Sequence, residues 1–143
     1  MTQMSDYLEN KLIDHIWRGT AFTQPTNHFI RLYTAAPGET GGGTEVSGGS
    51  YAAINLARAD ANWANTAGGS AAVNSGTGGL TSNLSAITFA APTANWGVIT
   101  HMSDCDAATG NLIVYGPLTT SKTVNNGDPA PSFPIAALTI TFA

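Results

Sequence analysis

Apolar positions change their spacing once along this chain. Early on they fall at Leu8, Leu12, Ile13, Ile16 and Trp17. That spacing traces one face of a helix and predicts an amphipathic helix near residues 5 to 18. Asp6 followed by Glu9 fits a capping box, with Ser5 as the alternative cap. Arg18 suits the negative end of the helix dipole, and Gly19 is a natural stop. The stripe has two readings. It packs on the chain's own sheet, or it docks on a neighbouring subunit with Trp17 as the anchor.

From residue 28 on, the pattern is that of strands. Phe29 to Tyr33 is a short aromatic and β-branched run that stops before Pro37. Tyr51 to Ala57 alternates, with Ala52, Ile54 and Leu56 on one face. Ala86 to Phe89, Gly97 to Met102 and Leu112 to Tyr115 are three more strand signals, and Lys122 to Val124 is a shorter one. Thr109-Gly110-Asn111 is a turn signal that joins the runs from Val98 and to Tyr115 into a hairpin. Ala137 to Phe142 alternates most cleanly, with Leu138, Ile140 and Phe142 opposite Thr139 and Thr141. About seven or eight short strands between turn signals predict an antiparallel β-sandwich or jelly-roll-like barrel. The expected core is Phe29 or Ile30, Leu32, Ile54, Leu56, Ile87, Phe89, Val98, Leu112, Val114, Leu138, Ile140 and Phe142. The whole chain, 1–143, reads as one all-β domain, with a helical arm at 1–19 and the sandwich at 20–143.

Between the first two strands lies the loop the fold is arranged around. Six of the twelve residues from Gly38 to Gly49 are glycine, which permits tight reversals and positive φ at an entropic cost. A second long excursion, Asn62 to Asn83, is built from small residues, apart from Trp63, Val73 and Leu80.

Composition narrows the function classes. Charged residues are 10% of the chain and hydrophobic ones 43%, unlike a disordered segment. The net charge is −4 with five basic residues, so the basic patch of a nucleic-acid binder is missing. No apolar run approaches the roughly 18 residues of a membrane span. The first ten residues lack the basic and apolar regions of a signal peptide. The single Cys105 makes no intrachain disulfide and fits a reducing compartment. Residues 61 to 103 hold no Asp, Glu, Lys or Arg, a depletion also found in subunit interfaces.

Catalytic and cofactor patterns fail one by one. The glycine loop has no G-K-[ST] and no complete G-x-G-x-x-G. His15, His28 and His101 are scattered and support no zinc site. Asp104-Cys105-Asp106 reads as a solvated loop start, and flanking carboxylates disfavour the thiolate of Cys105. The expectation is no enzyme, no cofactor and no metal. A sugar-binding module is the competing class, with Trp63 or Trp96 as a stacking platform, although Trp96 at a strand entry reads first as core.

The motifs Leu32-Tyr33-Thr34-Ala35-Ala36-Pro37, Gly43-Thr44-Glu45-Val46-Ser47-Gly48-Gly49-Ser50-Tyr51, Asn95-Trp96-Gly97-Val98-Ile99-Thr100-His101, Asp106-Ala107-Ala108-Thr109-Gly110-Asn111-Leu112 and Ala137-Leu138-Thr139-Ile140-Thr141-Phe142 resemble a family of small virion proteins of tailed phages. Members are labelled tail-fibre or minor structural proteins, and labels differ on head against tail. The resemblance implies a non-enzymatic virion component assembled in the host cytoplasm. With no heptads, repeats or separate receptor head, the reading favoured from sequence is a capsid decoration (cement) protein on the head lattice. The alternative is a tail or fibre component with a host-glycan site. The expected partners are other copies of the chain, as a homotrimer, and the major capsid protein or other virion proteins. Nucleic acid and membrane are not expected partners. The trimer contact is expected in residues 61 to 83. The lattice contact is expected on the helix or the glycine loop, with Leu12, Ile16, Trp17, Glu39 and Glu45 as contact residues.

Overall fold

The computed structural model describes residues 2–64, 79–107 and 110–142. The period change in the sequence is realised as one helix and ten strands among these residues. Helix α1 spans Asp6–Trp17. Ser5 is its cap: the Ser5 hydroxyl accepts from the Leu8 N–H at 3.2 Å and donates to the Leu112 carbonyl. The cap is fully buried, so it fastens the helix to the sheet as well as starting it. At the other end Gly19, with φ +70°, lets the Thr20 N–H turn back to the Asp14 carbonyl.

The strands are β1 (Gln3–Met4), β2 (Asn27–Ala35), β3 (Thr44–Glu45), β4 (Ile54–Ala57), β5 (Leu80–Ser82), β6 (Ile87–Thr88), β7 (Gly97–Cys105), β8 (Leu112–Val124), β9 (Ser132–Phe133) and β10 (Thr139–Thr141). Six form one antiparallel sheet in the order β1-β8-β7-β2-β3, with β4 also on β2. β3 and β4 share the outer edge of β2 by taking its two ends. β5 pairs with β10 and β6 with β9 as two small sheets. The sheets stay open, so the layered sandwich is the architecture and the barrel alternative falls away.

Register sorts the residues of the large sheet into faces. Ile30, Asp104 and Val114 are in line, as are Leu32, Met102 and Gly116. On this face Ile30, Leu32, Ile99, Met102 and Val124 pack with Ile87, Phe89, Trp96 and Leu138 as the main core. Phe133 of β9 lies against it. Ile54 and Leu56 lie half-buried against the same cluster. A second cluster joins Leu8 of α1 to Ile113, Val114 and Ile140. On the opposite face Cys105, Leu112 and Tyr115 make a third.

Four expectations need correction. Val98 is 47% exposed and Ile99 takes its place in the core. A register shift between Ile99 and His101 resets the alternation there, as a bulge does. Phe142 is 43% exposed, because β10 ends at Thr141 and the alternation no longer has a sheet behind it. The runs at Leu112 to Tyr115 and Lys122 to Val124 are one strand, β8. Pro117 does not break it, since β1 covers only Val114 and Tyr115 on its outer side and an edge position needs no N–H. Asp104 and Cys105 are not a solvated loop start: both are buried at the end of β7. The loop begins at Asp106, whose carboxylate accepts from the Asn111 N–H at 2.7 Å. Most of the predicted excursion, residues 65–78, lies outside the described residues, as does Thr109 of the hairpin turn. The excursion's ends are β5 and a bridge from Trp63 to Asn83.

Candidate partner-contact surface

The glycine loop closes over the second face of the large sheet. Arg31 and Tyr33 from β2, Glu45 from β3, Cys105 from β7 and Leu112 from β8 form the floor of an open cleft of about 550 Å³. Glu39 to Gly43 make one wall. Asp6 and Tyr7 of α1, with Gly110 and Asn111, make the other. The Asp6 N–H donates to the Glu39 carbonyl at 3.2 Å, which ties the loop to the first turn of the helix. Gly43 explains why the loop is built from glycine. Its φ is +90°, and a Cβ there would stand 2.6 Å from the Ala35 carbonyl oxygen and clash with the Ala36 backbone as well.

An arginine inside an apolar strand needs a partner. Arg31 Nη1 donates to Glu45 Oε2 at 2.8 Å, and Nη2 donates to the Ala107 carbonyl at 3.2 Å. Glu45 Oε1 accepts from the Tyr51 hydroxyl at 3.1 Å, and that hydroxyl accepts from the Leu32 N–H at 2.9 Å. Glu45 is therefore a strut that holds β3 to β2. Burial pushes the Tyr51 phenol well above its ordinary range, with the Glu45 carboxylate adding to the effect. Burial also raises the Cys105 thiol, with Asp104 and Glu45 as smaller contributors. The direction expected from the sequence holds, but burial comes first among its causes. Glu39, by contrast, is exposed on the rim. With Asp6 and Glu9 it adds to the burial that raises the Tyr115 phenol.

The apolar stripe of α1 divides between its two readings. Leu8 is buried and Leu12 is half-buried in the second cluster. Ile13, Ile16 and Trp17 face out, at 50%, 62% and 74% exposure. Of the five contact residues expected from sequence, Glu39 and Glu45 meet at the cleft, Leu12 serves the core, and Ile16 and Trp17 form an uncovered apolar tip at the far end of the helix. Sequence reasoning missed Tyr7, Arg31 and Asn111 as cleft residues. Only the charge inside an apolar run at Arg31 pointed there.

On the core face the histidines are less scattered than they read. His28 Nδ1 lies 2.7 Å from Asp104 Oδ2, and the His28 ring meets Trp63 edge-on at 5.3 Å. Burial raises the pKa of Asp104, and the hydrogen bond and charge of His28 oppose that shift. A carboxylate can orient an imidazole for proton transfer, but no nucleophilic side chain is hydrogen-bonded to His28 among the described residues. Nor do three His, Cys, Asp or Glu gather there as metal ligands. His101 bonds its neighbour Thr100 at 2.8 Å. Trp96 is core, 5% exposed, with its indole N–H on the Gly49 carbonyl at 3.0 Å. Among the described residues no helix is long and apolar enough to cross a membrane.

The chain matches a protein-family model over most of its length. The family model described as Podophage GP4 fiber I protein gp80 covers residues 3–141. The chain belongs to this family. It is thus a phage fibre-like structural protein and part of the virion, and the matched span takes in the helix, the glycine loop and the closing strand. No curated protein matches the chain.

Proposed function

We propose that this protein is a fibre-associated structural subunit of a podophage-type virion, acting through assembly contacts and not through catalysis. The family match over residues 3–141 carries the reading. The tip of α1 supports it: a Trp exposed to 74% beside Ile13 and Ile16 is the kind of aromatic anchor that dominates interfaces. The subunit assembles in the host cytoplasm, in keeping with its buried, free Cys105, and it forms a homotrimer. The contact expected in residues 61 to 83 falls mostly outside the described residues. The α1 tip, expected from sequence as the lattice contact, is proposed here as the trimer contact instead. The charge-free stretch 61–103 is a weaker motive for the trimer than it was in sequence. Ile87, Phe89, Trp96, Ile99 and Met102 account for much of it inside the protomer.

Capsid decoration is the second reading. The single sandwich of the described residues supports it, and the major capsid protein would then be the partner. The fibre wording of the family favours the first reading. Mass spectrometry of purified virions tests the choice through copy number. A few copies per virion, lost with the tail, support the fibre. Many copies retained on tailless heads support decoration and overturn it.

A further inference from the structure

A second cavity, about 260 Å³, opens beside the β5–β10 pair on the core face of the large sheet. Its lining is apolar, with Ile113, Val114, Ile140, Phe142 and the ring of Trp63 as walls. Arg58 and Phe142 stand exposed at its mouth. No residue of α1 is among the walls, so the chain's own helix tip does not cover it. That tip carries Trp17, at 74% exposure the most exposed large apolar side chain among the described residues. The protomer thus shows water two apolar features, one protruding and one concave, and association removes the cost of both.

The trimer proposed above limits what the tip can meet. A closed ring of three is built from heterologous contacts, in which the patch a subunit gives differs from the patch it receives. We propose that Trp17 of one copy inserts into this cavity of the next, a contact that rests on the trimer reading. The volume fits. A cavity of about 150 Å³ holds benzene, and scaling from six ring atoms to nine gives about 225 Å³ for an indole. The benzo edge enters the apolar space, and the indole N–H stays at the mouth in water. Arg58 favours an aromatic guest there. Its Nη1 donates to Gln24 Oε1, which holds the guanidinium at the mouth, and tryptophan is the best ring for a cation to lie over. Three tips gathered on the threefold axis are the competing arrangement. Ile13, Ile16 and Trp17 span little more than one helical turn, too short for a heptad seam, and such a cluster would leave the cavity empty.

The test uses the full chain and pairs light scattering with cross-linking. Arg18→Cys and Ala59→Cys put exposed thiols beside Trp17 and beside Arg58, while Cys105 is buried. With a short bis-maleimide, the double variant should give covalent trimers, and neither single variant should give covalent dimers. Trp17→Ala should weaken association about 30-fold or more per contact, the loss of a hot-spot aromatic, and Phe142→Ala about tenfold by removing one wall. The probe 3-methylindole, a tryptophan side chain on its own, should bind the Trp17→Ala protein saturably and dissociate the wild-type trimer. Covalent dimers from Arg18→Cys alone put tip against tip and overturn the insertion while leaving the trimer reading in place. So does a wild-type trimer that Phe142→Ala and 3-methylindole leave unchanged, or whose double variant gives no covalent species. A wild type that is monomeric at micromolar concentration overturns the trimer reading, and the insertion with it.

Discussion

Gly43 and Gly38 offer a paired test of how the glycine loop is held. Both have positive φ, +90° and +66°. An alanine at Gly38 meets nothing within 4 Å, so its cost is the left-handed backbone alone, about 1–2 kcal/mol. Part of that is offset by about 0.4–1 kcal/mol, because alanine restricts the unfolded chain. The net loss expected for Gly38→Ala is about 0.5–1.5 kcal/mol. Gly43→Ala carries the same backbone cost and adds a Cβ 2.6 Å from the Ala35 carbonyl oxygen. The obstacle is main chain, so no rotamer relieves it. The loop has to shift where Ala35 pairs with Thr44. That shift loosens β3, the Glu45 strut and the wall of the cleft. We expect about 2–4 kcal/mol for Gly43→Ala, in the range of overpacked sites. At roughly 2–4 °C per kcal/mol for a chain near this size, Gly38→Ala lowers Tm by about 1–6 °C and Gly43→Ala by about 4–16 °C. Urea and thermal unfolding followed by circular dichroism measure both. Equal losses for the two variants would refute the reasoning, since only the steric contact separates them.

Other outcomes follow from the same contacts. Ser5→Ala removes a helix cap and leaves the Leu112 carbonyl without its buried donor, so a loss of about 1–3 kcal/mol is expected. A loss below a few tenths in urea unfolding would show that the cap does not fasten α1. Leu138→Ala should cost about 2–5 kcal/mol at its 3% exposed site, and a near-zero change would place Leu138 outside the core. The Asp104 carboxyl has a raised native pKa, which means the folded state holds its proton more tightly than the unfolded chain does. Its contribution to stability is therefore greatest below the unfolded carboxylate range and falls as pH rises through the native value. Wild type should lose stability relative to Asp104→Asn across that rise in paired urea titrations, and the opposite slope would reverse the assignment. Trp17→Ala with Ile16→Ala should leave the fold intact and reduce the particle to a monomer by light scattering. A trimer unchanged by the double variant would place the interface elsewhere.

Local order in this protein is legible in the sequence alone. Helical spacing at Leu8 and Leu12 and the stop at Gly19 define α1. Alternation at Phe29 to Tyr33 and at Leu138 to Ile140 marks strands and most of their inward residues. Those signals are local, because a side chain's face depends on neighbours one to four residues away. Tertiary structure decided what depends on distant pairing. The bulge near Thr100 exchanged Val98 for Ile99, and the pairing of β7 turned one run into a buried end. Asp104 reads as solvated until His28, 76 residues away, is placed 2.7 Å from it. Glu45 reads as a contact residue until the β2–β3 register brings Arg31 to it. Trp17 reads as core or as interface until the fold leaves it 74% exposed. A polar group's burial is tolerable only with its partner in place, and partners so far apart in sequence are set by strand register alone.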